Sequence, residues 1–272
     1  LPAAHQPEAP TPAKPTGPKW HGEYSFALWQ LILKDFKIRY RNMSLGVFWS
    51  LLNPLIMMGV LWFLFTHIMT NNRIPHFAAF VLCGLVPYNF FTLAWSTGTS
   101  SLLENAALIK RVPVALEIIP VSSVLSIGIH LLIQVGLLLT AVLLAGRGVN
   151  RYWLWLPFVW ACEVIFVCGL ALLCSSLNVY VRDMRYVIES ATVVLFWMVP
   201  IFYPFSVVPP RYREVYQLNP VAALVLAGRN ILLDGIPPPT PLLLKLVASS
   251  AAVFVAGFVV FRLLRRRFYD YL

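Results

Sequence analysis

The chain has 272 residues, 59% of them hydrophobic and 12% charged, with a mean hydropathy of +0.75, and this excludes an ordinary water-soluble domain, which needs more charge to cover its surface. A bilayer must therefore serve as solvent for much of it. The net charge of +10 does not point to nucleic acid, since no soluble basic domain exists to carry such binding. Basic residues at the ends of apolar runs instead set topology and meet anionic lipid.

Residues 1–22 form a Pro-rich tail with six prolines in its first nineteen positions. Without an apolar central region it is expected to be disordered and is no signal peptide. Residues 23–44 follow as an amphipathic interfacial helix. At 100° per residue, Gln30, Lys34, Lys37 and Arg41 share one face, and Tyr24, Leu28, Leu31 and Ile32 the other, while Asp35 and Arg39 break the pattern. Such a helix is too charged to span and lies along the membrane surface.

Residues 45–272 make one transmembrane domain. Six spans are expected at about 47–69, 77–97, 118–145, 152–177, 187–205 and 242–261, the first kinked or wetted near Asn53-Pro54. In lipid the backbone must satisfy itself, which leaves helices as the form these runs take. The segment 206–241 holds a further apolar stretch, 221–233, too short to cross, between Val208-Pro209-Pro210 and Pro237-Pro238-Pro239. Counting charges decides its topology. With six spans, fourteen Lys and Arg lie on the inside and seven outside, and the four arginines of 262–267 mark the cytoplasmic end of the last span. The expected fold is an all-α polytopic membrane protein: six transmembrane helices, an N-terminal interfacial helix, and outer re-entrant helices before the last span.

Catalytic signatures are thin. There is no GxxxxGK[ST], GxSxG or HExxH, and the eleven acids are scattered. Cys83, Cys162, Cys168 and Cys174 lie in apolar runs without CxxC spacing and are expected to be structural thiols, with no metal site. Two charged loops stand out on the inside. The loop 104–113 reads as a short helix with Glu104 at its start, Leu108, Lys110 and Arg111 toward its end, and Pro113 as its stop. The loop 176–186 carries Asn178, Arg182, Asp183 and Arg185. Both read either as topogenic charge or as a docking surface for a soluble partner.

Within the spans, Glu163, His130 and Gln134 are polar groups in a costly place. They mark either a pathway for a hydrophilic substrate or hydrogen bonds between helices. Trp153, Trp155, Trp160, Tyr203, Tyr212 and Tyr216 gather near the outer side, where most belong to an interfacial belt and some are candidates to stack on sugar rings.

An ordered set of short motifs runs from about Tyr24 to the C-terminus. It comprises Arg39-Tyr40-Arg41-Asn42, Leu45-Gly46-Val47-Phe48-Trp49-Ser50 with Asn53-Pro54, and Asn105 with Leu108-Ile109-Lys110-Arg111. Leu177-Asn178-Val179-Tyr180-Val181-Arg182-Asp183, Pro200-Ile201-Phe202-Tyr203 and Leu218-Asn219-Pro220 complete it. In this order they resemble the permease subunits of bacterial ABC exporters of lipid-linked polysaccharides, the O-antigen, teichoic acid and galactan export permeases. One departure is Val114-Ala115-Leu116-Glu117, where such permeases more often carry an aromatic, a proline and a base.

The resemblance implies a second copy of the chain and two P-loop ATPase subunits beneath the pair. It implies no cofactor on this chain, ATP and Mg being used by the partner. Glu104, Leu108, Lys110, Arg111, Asn178, Arg182, Asp183 and Arg185 would couple to the ATPase. The lipid pyrophosphate would come in at Lys37, Arg39 and Arg41, and Glu163, His130, Gln134 and Tyr203 are candidates for the path. The implied location is the bacterial cytoplasmic (inner) membrane with both termini inside. Competing readings are an ABC permease for small lipids or drugs, and a membrane enzyme of envelope glycan assembly.

Overall fold

The computed structural model describes residues 23–41, 48–68, 74–112 and 114–271. The tail 1–22, the motif residues 42–47, and Met69, Arg73 and Pro113 lie outside the described residues. Among the described residues every regular element is a helix. They run α1 (Tyr24–Tyr40), α2 (Phe48–Phe63, widening to a π-turn over Leu64–Ile68), α3 (Phe77–Glu104), α4 (Ala106–Arg111), α5 (Ile118–Leu144) and α6 (Leu156–Tyr180). Then follow α7 (Met184–Met198), α8 (Pro210–Leu218), α9 (Pro220–Arg229), α10 (Thr240–Leu264) and α11 (Phe268–Tyr271).

Prolines write several of the boundaries. α6, α8, α9 and α10 each carry one in the first turn, where a missing N–H costs nothing. Asn219 caps α9 by accepting from the Val221 N–H at 3.1 Å. The segment ends at Gly235, whose φ of 65° is the left-handed conformation that favours glycine.

Among the described residues five helical stretches are long and apolar enough to cross a bilayer: Phe48–Ile68, Phe77–Arg111, Ile118–Leu144, Arg151–Tyr180 and Thr240–Arg267. The run expected at 187–205 differs. Its helix, α7, has 15 residues and stops at Met198, which at 1.5 Å per residue is roughly 22 Å against a hydrocarbon core of about 30 Å. Pro200 and Pro204 supply no N–H to carry it further, and Val199–Pro204 is non-helical.

α3 is the central post, its apolar window 78% buried, while that of α2 is only 11% buried. α6 and α10 approach closest. A side chain on Gly257 would meet the Gly169 carbonyl, and one on Gly169 would meet the Phe254 backbone. This is the small-residue contact that lets apolar helices pack where no hydrophobic effect drives them together. One core fills the middle and one end of the bundle. A second, smaller core at the opposite end gathers Leu102, Ile109, Leu116, Ile119, Leu172, Val179, Phe261 and Phe268.

That second end is the basic one. Asn178 reaches the Thr99 carbonyl at 3.2 Å, Tyr180 the Leu264 carbonyl at 2.8 Å, and Arg265 the Glu117 carboxylate at 3.4 Å. These contacts bring the C-terminal ends of α3, α6 and α10 level with α4. Lys34, Lys37, Arg39, Arg41, Lys110, Arg111, Arg182, Arg185 and the four arginines of 262–267 gather here. Among the described residues the other end has half as many: Arg147, Arg151, Arg211, Arg213, Arg229 and Lys245.

Candidate functional site

The two charged loops meet at the basic end. Glu104, Lys110, Arg111, Arg182, Asp183 and Arg185 are all exposed there. α4 is held against the bundle by Ile109, 2% exposed in the small core, while Leu108 is half-buried. Ile109, directly before the two bases that close this six-residue helix, marks which side of α4 faces inward. Asn178 is not on the exposed surface. It is 3% exposed and its amide binds α3, so it clamps two helices together. Glu104 is the last residue of α3 and does not start α4, because α3 continues through Leu103 before Asn105 breaks it.

Above this end lies a polar cavity of about 450 Å³ between α1, α2, α3, α5 and α7, lined by Arg39, Tyr40, Trp49, Ser50, Asn53, Asn89, Thr92, Leu93, Ser96, His130, Gln134, Glu189 and Thr192. The Tyr40 hydroxyl lies 2.6 Å from Nδ1 and 2.9 Å from Nε2 of His130, whose ring stacks on it at 5.1 Å. Burial raises the Tyr40 hydroxyl above its ordinary pKa, so it stays neutral and able to donate. Gln134 donates to the Ser50 carbonyl at 2.8 Å, and its own Oε1 is buried without a partner among the described residues.

α1 is packed by the residues that broke its pattern. Asp35 accepts from Ser123 at 3.2 Å, Arg39 donates to Thr97 at 3.3 Å, and Tyr40 covers His130. Together with Ile32 and Phe36 they form one face at helical spacing, directed at α3 and α5. Lys37 and Arg41 point away and are exposed. Of the three basic residues named for the pyrophosphate, Arg39 alone lines the cavity.

His130 and Gln134 are thus brought together, and Glu163 and Tyr203 are not part of this wall. Glu163 is 2% exposed within the main core, and neither carboxyl oxygen has a hydrogen-bond partner among the described residues. Tyr203 donates toward the Trp197 and Met198 carbonyls at 3.3 and 3.2 Å, covering the open C-terminal end of α7. Asn89, Thr92 and Ser96 went unnoticed in the sequence. Their spacing of three and four puts a polar stripe on one face of an apolar span, and that period is the signal that finds them. Glu189 and Thr192 do the same on α7.

At the far end, Arg229 is 5% exposed and sits 3.5 Å over the Phe80 ring. It donates to the Ile201 carbonyl at 2.6 Å and to that of Phe80 at 3.3 Å. α8 and α9 pack against each other on either side of Asn219, and just after α9 the Ile231 carbonyl accepts from Asn150 at 2.9 Å. Arg229 therefore ties α9 to α3 and to the break after α7.

Comparison with known proteins places these features in a family. Residues 27–233 match the model of the ABC-2 type transporter. The chain is 27% identical over 256 residues to the O-antigen export system permease protein RfbA of Klebsiella pneumoniae, covering 93% of this chain and 98% of the relative. It is 26% identical to the protein of the same description from Myxococcus xanthus, covering 90% and 95%. The polysialic acid transport protein KpsM of Escherichia coli is 24% identical over 75% of this chain and 80% of its own length.

Proposed function

The chain belongs to the ABC-2 type transporter family and is a multi-pass membrane protein, and from that premise we propose that it is the permease subunit of an ATP-driven exporter of a lipid-linked polysaccharide. Relatives covered over most of their length are permeases or transport proteins for O-antigen and polysialic acid. The observation that carries the reading is the stacking of two parts: an exposed charged end made of two loops, and directly above it a polar cavity reaching between the helices.

In this reading the basic end faces the cytoplasm of a bacterium, in its inner membrane, with both termini inside. Two P-loop ATPase subunits dock on the 104–111 and 181–185 surfaces and bind ATP and Mg themselves. α1 starts at the interface and rises along α5 to the cavity wall, α7 with the unwound 199–204 stretch makes the sixth crossing, and α8–α9 dips back from the outer face. The apolar side chains of Ile56, Val60 and Phe63 on α2 and of Val193, Val194 and Trp197 on α7 stand exposed on the two helices flanking the cavity. A second copy covering them would close the cavity into a conduit. Amides, hydroxyls and Trp49 on the cavity wall suit sugar hydroxyls and ring faces better than an apolar drug, and Arg39 supplies a cation for the pyrophosphate.

The test is co-expression with a candidate P-loop ATPase, followed by purification and reconstitution in proteoliposomes holding undecaprenyl-pyrophosphate-linked glycan. ATP-dependent transfer of the glycan to the opposite leaflet is expected. Turnover of the glycan by the chain alone, with no ATPase bound, would instead make it a membrane enzyme of glycan assembly.

A further inference from the structure

α1 is fastened at one point to the charged end and at another to the cavity wall. Lys34 Nζ donates to Asn105 Oδ1 at 2.6 Å. Asn105 is the single residue between α3 and α4, and its side-chain N–H donates to the Ser101 carbonyl at 2.8 Å. That second bond fixes the amide so that its oxygen, the acceptor, faces Lys34. Lys34 also lies 3.3 Å from one oxygen of Asp35, whose other oxygen accepts from Ser123 on α5. Five and six residues further along the same helix, Arg39 and Tyr40 form part of the cavity wall against Thr97 and His130.

A helix transmits displacement along its axis because its backbone bonds resist stretching, and six residues of it span roughly 9 Å. Whatever moves the α3–α4 junction therefore pulls on Lys34 and shifts Arg39 and Tyr40 with it. We propose that Lys34 is a positioning residue for transport: through Asn105 it converts movement of α4 into movement of the cavity wall. The inference rests on the reading that α4 receives an ATPase subunit. Lys34 does not touch the cargo, as it is absent from the cavity wall.

The experiment uses the complex with its ATPase subunit and a cysteine at Ser96, a half-buried cavity position. The four native cysteines are buried, and the chain without the Ser96→Cys change gives the background. The readout is the labelling rate by a charged maleimide, without nucleotide and after vanadate trapping. The Ser96→Cys chain is expected to change its rate about fivefold or more between the two states. Lys34→Met and Asn105→Leu should each shrink that change below about twofold, with ATPase co-purification intact. Asn105→Asp keeps the acceptor and should retain the full change, and the Lys34→Met, Asn105→Leu double variant should be no worse than either single one. A Lys34→Met chain that keeps the full nucleotide response overturns the proposal and leaves the transporter reading standing. Losses that add in the double variant, or loss of the ATPase from Lys34→Met, overturn it as well. No ATPase binding and no response even with Lys34 and Asn105 present would bring down the transporter reading and this proposal together.

Discussion

Gln134 on α5 donates to the backbone carbonyl of Ser50 on α2 at 2.8 Å, and Ser50 is four residues before Pro54. In an unbroken helix that carbonyl would accept from the N–H of residue 54, which proline lacks. A side chain from a neighbouring helix thus completes a bond that the sequence of α2 cannot.

Removing this donor should be felt only while the proline is present. Gln134→Leu is expected to cost about 0.5–1.5 kcal/mol, the net worth of one part-buried hydrogen bond. Pro54→Ala restores the backbone donor and should recover most of that loss. Denaturation midpoints in detergent for the two single variants and the double measure the coupling. Equal losses from Gln134→Leu in both backgrounds would contradict the account.

The α6–α10 contact should tolerate no side chain. Gly257→Leu would press into the Gly169 backbone and is expected to cost about 1–3 kcal/mol or more, lowering the yield of monodisperse protein. Gly136, which has open space where a Cβ would stand, is the control, and Gly136→Leu should purify normally.

Docking and packing residues should separate cleanly. Lys110→Glu with Arg111→Glu reverses exposed charge and is expected to abolish ATPase co-purification without moving the melting temperature of the chain alone. Asn178→Ala should lower that temperature, since it removes a buried bond to α3 worth roughly 0.5–1.5 kcal/mol. A thermal shift series beside pull-downs reads both. If Asn178→Ala affects docking alone, the inward-facing assignment is wrong.

Among the bases of α1, Arg39 should matter most for export. Arg39→Gln removes the cation on the cavity wall and should reduce glycan export about tenfold or more, as loss of a charge-assisted contact does. Lys37→Gln and Arg41→Gln, whose side chains are exposed, should stay within twofold. Equal loss in all three would point to a diffuse electrostatic attraction.

Glu163 gives the opposite expectation from most buried polar groups. Because its carboxyl has no hydrogen-bond partner among the described residues, Glu163→Leu should be neutral or stabilising by about 1 kcal/mol or more. Export by that variant, assayed beside its melting temperature, decides whether the carboxyl serves the path.

The sequence carries the helical spans plainly, since runs such as 118–144 and 240–264 have no other way to satisfy their backbone in lipid. Pro54 likewise announces a defect in α2, though not that Gln134 would answer it. Periodicity failed at α1. Asp35 and Arg39 look like interruptions of an amphipathic pattern, whereas on the packed face they stand between Ile32, Phe36 and Tyr40 and meet polar residues on α3 and α5. It failed again at α7, where an apolar composition through 205 hid the helix stop that Val199-Pro200 imposes. In the sequence Arg229 shows only as one more charge on the outer side. Its burial depends on carbonyls near positions 80 and 201, far away in sequence, and no local pattern encodes such a meeting.

Phe268 is fully buried beside Ile109 and Phe261, and the Tyr271 ring lies 4.8 Å from that of Tyr180, two residues before Arg182. Whatever follows Tyr271 therefore starts next to the surface that the ATPase would occupy. An affinity handle or fluorescent reporter fused there would crowd that surface, and a lost complex would be mistaken for a dead protein.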